Sequence, residues 1–272
     1  MKQPRGMAET RRWMAADSKS AQLYARAQQV LPGGNTRTTV YMAPRPPYAE
    51  SGDGCWITDV DGDRRLDCLN NYTALIHGHA HPAIVAAATD RLRRGTSFPL
   101  PTPEEIDLAA IIVDRLPSAE RVRFMNSGSE AVMMAIKGAR AFTDRPRIAK
   151  FEGAYHGSYD YAEVSLGSTP ETWGRLDAPA STSYSRGTPQ GVLDDVVVLP
   201  FNHTEQAVAR IEREAKTLAA VLVDPLPNRV GLIPARRDFL AALQLDPCLV
   251  EARDNLQRSG GIPADAPHCT GR

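Results

Sequence analysis

Long apolar runs are missing from this 272-residue chain. None approaches the roughly 20 residues that cross a bilayer, so a membrane-spanning helix is not expected. The N-terminus reads Met-Lys-Gln-Pro-Arg and lacks the apolar stretch of a secretory signal. Charge of one sign is lacking too. Lys plus Arg and Asp plus Glu number 32 each, so no net field would gather nucleic acid or an anionic membrane surface. The four cysteines, Cys55, Cys68, Cys248 and Cys269, show no metal-ligand pairing and no disulfide framework. Reduced thiols in a cytoplasmic protein are the expectation.

What is present is the make-up of a globular protein. Hydrophobic residues at 42% against 24% charged suit a chain that buries a sizeable core, as one large domain or a domain with a smaller lobe. A helix is expected over 14–31, stopped at Leu31-Pro32-Gly33-Gly34, followed by loop to Gly54. Cys55–Asp59 and Arg64–Leu69 flank Asp61-Gly62, a hairpin signal. The acidic cluster Asp59, Asp61, Asp63 resembles a calcium loop but lacks its full ligand register and closing Glu. From Pro82 the pattern changes. Pro82 opens a helix with Ile84, Val85, Ala88 and Leu92 on one face, closed by Gly95. Thr102 and Glu105 have capping-box spacing, and Ile106, Ala109, Ile112, Val113 and Leu116 predict a buried helical face. Short strands are expected at Arg121–Met125, Arg147–Phe151, Asp195–Leu199 and Leu218–Val223, with helices at Gly128–Phe142 and 204–217. Such alternation predicts an α/β fold with a parallel sheet covered on both faces and ligands at the carboxyl ends of its strands. The Ser/Thr/Gly/Pro-rich stretch 157–192 is too long for a plain connector and reads as an active-site or mobile loop.

Two segments carry chemistry. At Asn126-Ser127-Gly128-Ser129 a strand turns into a helix whose first N–H groups are unpaired and whose dipole favours an anion. Gly128 would let backbone approach a phosphate, with Ser127 and Ser129 adding hydroxyls. Simple capping of the helix by one of the serines accounts for the pattern equally well. Past the next strand, Tyr155-His156-Gly157 could lie flat against a planar heterocycle or merely pack in a loop. His77, His79 and His81 alternate on an extended segment. Zinc ligation, and with it a metal hydrolase, is the weakest reading, because no partner motif completes a ligand set.

Taken in order, Ser127-Gly128-Ser129-Glu130-Ala131, helix, strand and Tyr155-His156-Gly157 closely resemble the class III aminotransferases, particularly the branch around glutamate-1-semialdehyde aminomutase. The stretches Leu31–Gly34, Asp59–Gly62, Asn70–Pro82, Gly95–Phe98 and Pro101–Glu105 resemble the same family, and the likeness runs from about Leu31 to Leu240. It implies a fold-type I, pyridoxal 5'-phosphate-dependent transferase: an N-terminal helix, loop and hairpin segment over 1–70 belonging to a small domain, and a partial cofactor-binding large domain over 71–240. The activity implied is amino-group transfer, or an amino shift of the isomerase kind, on an amino acid or a keto or aldehyde substrate, in a homodimer. Carried over by position, Ser127, Gly128 and Ser129 face the cofactor phosphate, Tyr155 stacks on the ring and His156 accompanies it. Asp224, in Asp224-Pro225, stands where the family commonly has Glu-Pro. Asn228 lies one position off the aminomutase pattern for the ring hydroxyl. Arg37 corresponds to a substrate-carboxylate contact.

The resemblance also implies a lysine holding the cofactor as a Schiff base and an acid pairing with the ring nitrogen. Both are expected beyond the point where the likeness fades. Residues 241–272 read as a divergent tail, helix then disorder, with 244–256 resembling half a tetratricopeptide repeat. Lys2, Lys19, Lys137, Lys150 and Lys216 read as solvated charges. No catalytic residue is therefore assigned, and a C-terminally truncated chain without turnover is the expectation. The competing reading is a non-catalytic remnant with residual phosphate binding.

Overall fold

The computed structural model describes residues 11–37, 40–117 and 119–245. It divides into two compact units, Met1–Leu108 and Ala109–Arg272.

In the first unit, α1 (Lys19–Val30) begins where the Ser18 side chain accepts a hydrogen bond from Ala21 N and ends at Leu31-Pro32, since proline cannot continue the ladder. β1 (Ala49–Asp53), β2 (Trp56–Asp59) and β3 (Arg64–Leu66) form an antiparallel sheet in that order. The hairpin at Asp61-Gly62 is present, and its carboxylates are occupied. Asp59 accepts from Asp61 N and Asp63 N and pairs with Arg65, Asp61 accepts from Lys19 N and Ser20 N, and Asp63 takes Arg12. The acidic cluster therefore ties the hairpin to α1.

β1 lies where the sequence suggested loop. Its signal was hidden by glycines, and Gly52 is needed because a Cβ there would sit 2.5 Å from the His79 ring. His79 exchanges backbone hydrogen bonds with Gly54 at 3.0 and 2.7 Å, and its Nε2 is 2.8 Å from Asp67 Oδ2. A short left-handed turn, α2 (Asn70–Thr73), follows, then α3 (Pro82–Leu92).

α4 (Pro103–Arg115) spans the division between the units. Its apolar stripe was expected to be buried. Instead Ile106 is 65% and Leu116 53% exposed, and on α3 Ile84 and Leu92 are 50% and 59% exposed. Amphipathic spacing reports a face able to be buried, and the partner for that face must be supplied separately.

The second unit holds the functional frame. Residues 121–125 form no regular element and pair with no strand among the described residues, so the expected strand there is not formed. α5 (Gly128–Thr143) leads into β4 (Arg147–Phe151), α6 (Asp160–Glu163), the β5–β6 ribbon (Gly174–Arg175 and Ala178–Pro179), α7 (Gln190–Asp194), β7 (Val196–Leu199), α8 (Thr204–Glu214), β8 (Leu218–Leu222) and α9 (Arg237–Leu245). β4 is central, parallel to β7 on one side and to β8 on the other. Alternation sends Ile148 toward Ile136 of α5, Val164 and Val192, while Ala149 and Phe151 face Ala207 and Ile211 of α8 and Phe239 of α9. Both faces are covered, as the near-continuous apolar strands required. Each such fully buried aliphatic or aromatic side chain contributes about 1.5–3 kcal/mol. The tetratricopeptide-like tail lies almost wholly outside the described residues.

Candidate cofactor site

The carboxyl ends of β4 and β8 and the amino end of α5 carry the candidate residues. Ser127 has extended backbone and caps α5: its Oγ accepts from Glu130 N at 3.2 Å, while the Glu130 carboxylate accepts from Asn126 N at 2.8 Å. The capping alternative thus holds for Ser127. Ser129 does something else. Its Oγ accepts from Ser158 N at 2.9 Å, joining the start of α5 to the turn after β4. Gly157 makes this possible, because a Cβ there would stand 2.6 Å from Ser129 Oγ and 2.8 Å from its Cα. At Gly128 a Cβ would meet nothing within 4 Å. The helix terminus is therefore an open cradle of N–H groups with hydroxyls beside it, suited to a phosphate.

The turn from Gly153 to Gly157 displays Tyr155, 45% exposed, and half-buries His156. His156 Nε2 is buried and without a hydrogen-bond partner. Burial pushes the imidazole down to about 4, the nearby Lys150 charge acts the same way, and Asp224 opposes both. His156 is neutral at neutral pH. Asp224 follows β8, which runs parallel to β4 with Lys150 opposite Leu222, so Asp224 and the turn bearing His156 both follow the carboxyl ends of neighbouring strands. The Asp224 carboxylate accepts from Leu226 N at 3.0 Å. Asn228 is exposed and begins a short helical turn, Asn228–Val230, whose Val230 side chain stands against Gly153. Six of the predicted positions, Ser127, Gly128, Ser129, Tyr155, His156 and Asp224, thus lie on linked turns, and Asn228 sits on an adjoining one.

Arg37 belongs to the first unit. Its Nη1 donates to Asn71 Oδ1 at 3.1 Å, its guanidinium lies 4.8 Å from the Tyr72 ring centroid, and it lines a mostly apolar cavity of about 640 Å³ with Tyr48, Leu66 and Leu69.

One buried group was misread from sequence. Lys150 is fully buried, with its Nζ donating to Val164 O at 2.6 Å. Burial pushes its ammonium down to about 8, with Glu152 opposing. Its position inside the apolar strand Arg147–Phe151 was the available signal, since a strand covered on both faces leaves no solvated place for a lysine. Among the other described lysines, Lys19, Lys137 and Lys216 are exposed, as expected.

Comparison with known proteins decides the family. The aminotransferase class-III family model matches residues 41–246. The chain belongs to the class-III aminotransferases. A glutamate-1-semialdehyde 2,1-aminomutase of Methanothermobacter thermautotrophicus is 42% identical over 226 residues, covering 83% of this chain and 52% of that protein. An aminomutase of Brevibacillus brevis is 39% identical over 229 residues, with coverage of 83% and 52%. Among solved structures, an omega-transaminase from Sphaerobacter thermophilus superposes with a TM-score of 0.82 at 53% identity, covering 91% of this chain and 54% of that one. A transaminase with bound pyridoxal phosphate gives 0.76 at 48% identity, covering 90% and 54%. This class-III aminotransferase chain therefore spans about half the length of the relatives it matches. Its α/β frame is the fold-type I arrangement in part, and no helix among the described residues is long and apolar enough to cross a membrane.

Proposed function

We propose that the turns at Ser127–Ser129 and Tyr155–Ser158 form the phosphate- and ring-facing wall of a pyridoxal-phosphate site, in a protein whose reaction is amino-group transfer or an amino shift on a small amino acid, keto acid or aldehyde. The observation that carries this is the Ser129 Oγ to Ser158 N hydrogen bond, with Gly157 packed against Ser129. It fastens an anion-binding helix terminus to an exposed aromatic ring, the two features that a phosphorylated heterocycle needs side by side. The open space at Gly128 and the unpartnered Nε2 of His156 fit the same ligand.

In this reading α5 and Ser129 hold the phosphate, Tyr155 stacks on the ring, and neutral His156 and Asp224 order its polar rim, with Asn228 on the adjoining turn. When bound, the cofactor supplies an electron sink for charge developing beside the substrate amine. Arg37, on the first unit, is proposed by itself as a contact for a substrate carboxylate, by its guanidinium fork. Homodimer formation is part of the proposal. So is non-covalent retention of the cofactor, because Lys150, the one buried lysine among the described residues, has its amine on the Val164 carbonyl. Turnover by these residues alone is not expected.

The test is titration of the full chain with pyridoxamine phosphate, which needs no covalent link, followed by near-ultraviolet circular dichroism. Saturable binding that Ser129→Ala weakens and that inorganic phosphate displaces supports the site. Absence of binding, or binding unaltered in Ser129→Ala, refutes it. Borohydride treatment with pyridoxal phosphate separates non-covalent from covalent retention.

A further inference from the structure

Lys150 sits in the middle strand of a three-stranded parallel sheet, opposite Val198 on one side and Leu222 on the other, and is 0% exposed. A buried ammonium is costly unless it is paired, and an apolar side chain of similar length would fill the same space without that cost. What the charge holds is specific. Nζ donates to Val164 O, at the head of the segment 164–168. Two residues along the same face of the chain, Glu152 accepts from the Ser168 hydroxyl at the other end of that segment. Between them Ser165 is wholly buried, and its carbonyl accepts from Gly153 N at 2.9 Å. Ser165 is itself fixed to the returning chain: its N donates to Thr182 O at 2.8 Å and its Oγ to Ala180 O at 2.8 Å. Gly153 opens the turn that presents Tyr155 and His156.

We propose that Lys150 is a positioning residue for this site: its buried ammonium, fastened to the Val164 carbonyl, holds the segment on which the Tyr155–His156 turn is seated. This rests on the reading of that turn as the ring-facing wall. The long Ser/Thr/Gly/Pro-rich stretch is thereby anchored at 164–168 through Lys150 of β4 and Glu152 just after it.

The test is Lys150→Met in the full chain, which keeps an apolar stem one atom shorter and removes the donor. In the ligand-free protein, hydrogen exchange at the Gly153 amide and the peptide around it rises about tenfold, the effect of losing one charge-assisted hydrogen bond. The melting temperature stays level or rises, because the buried charge has gone. Pyridoxamine phosphate binds about tenfold more weakly and its induced dichroism changes, a signature that a merely space-filling lysine would not alter. Unchanged exchange, or wild-type affinity with an unchanged band, overturns the proposal. If Lys150→Met does not fold, Lys150→Ala with added propylammonium takes its place. Recovery of slow exchange at Gly153 supports the role, and recovery of the fold with fast exchange overturns it. Failure of the wild-type chain to bind pyridoxamine phosphate counts against the cofactor reading, while the exchange comparison still decides the role of Lys150.

Discussion

Gly157 lies so close to Ser129 that a methyl group on it would stand 2.6 Å from the serine oxygen and 2.8 Å from the backbone carbon behind it. Its φ of +92° is also one that side chains resist. Gly157→Ala is therefore expected to destabilise the fold by about 1–3 kcal/mol, because neither the backbone nor Ser129 can yield cheaply. It is also expected to break the Ser129–Ser158 link and with it the proposed phosphate binding. Denaturant unfolding together with pyridoxamine phosphate titration checks both effects, and a fully stable Gly157→Ala would contradict the packing described.

Gly128 makes the opposite case. A Cβ there meets nothing and the backbone is ordinary helix, so Gly128→Ala should leave stability unchanged or slightly raised. The methyl group would instead occupy the space over the first N–H groups of α5. Isothermal titration with pyridoxamine phosphate is expected to show weaker binding by a stable protein. Equal affinity would place the phosphate elsewhere.

Ser127→Ala removes a cap and should cost about 1 kcal/mol, read as a shift in the denaturant midpoint. The effect on ligand affinity should be smaller than that of Ser129→Ala, since Ser127 Oγ is occupied by Glu130 N. The reverse order would overturn this division of roles.

His156 is neutral in the fold down to about pH 4, whereas in the unfolded chain it takes up a proton below about 6.5. Its contribution to stability is therefore complete above pH 6.5 and lost as pH falls toward 4. The size is about 2 kcal/mol after allowance for its part exposure. Lys150 and Asp224 face it, with opposite influence. Melting curves of His156→Gln across pH 4–7 should be flatter than wild type, and parallel curves would refute the assignment.

Lys150 gives the complementary alkaline signature. Its ammonium is pushed down to about 8 in the fold, with an ordinary value of 10.5 when unfolded. The unfolded chain binds the extra proton between these limits, so stability rises as pH climbs from 8 toward 10.5, by about 3 kcal/mol. Glu152, raised by its own burial, is the group beside it. The difference between wild type and Lys150→Met over that window isolates the effect, and a constant difference would contradict it.

Much of this frame was legible in advance. Strand Arg147–Phe151 and the start of α5 at Gly128 are where the pattern put them, because apolar runs bounded by turn residues leave few choices. The motifs at Ser127–Ser129 and Tyr155–Gly157 were legible as turns at the start of α5 and after β4, and the hydrogen bond between them was not. Arg121–Met125 was not: its composition suits a strand, but a strand also needs a neighbour's ladder. The exposed stripes on α3 and α4 differ from expectation for the same reason, since spacing shows which face is apolar and not what covers it. Lys150 was misread because charge was weighed without the burial of the strand around it.

The sequence alone determined where most of the helices and strands of the second unit fall, since these follow from local periodicity and turn chemistry, and it carried the resemblance to the family through its motifs. Tertiary structure decided that Ser127 is a cap while Ser129 is a link, that Gly157 is there for Ser129, and that Lys150 is buried on Val164. Each of those facts depends on residues that chain distance separates and sheet packing brings together. No local pattern can record a contact whose other half is 14 or 29 residues away.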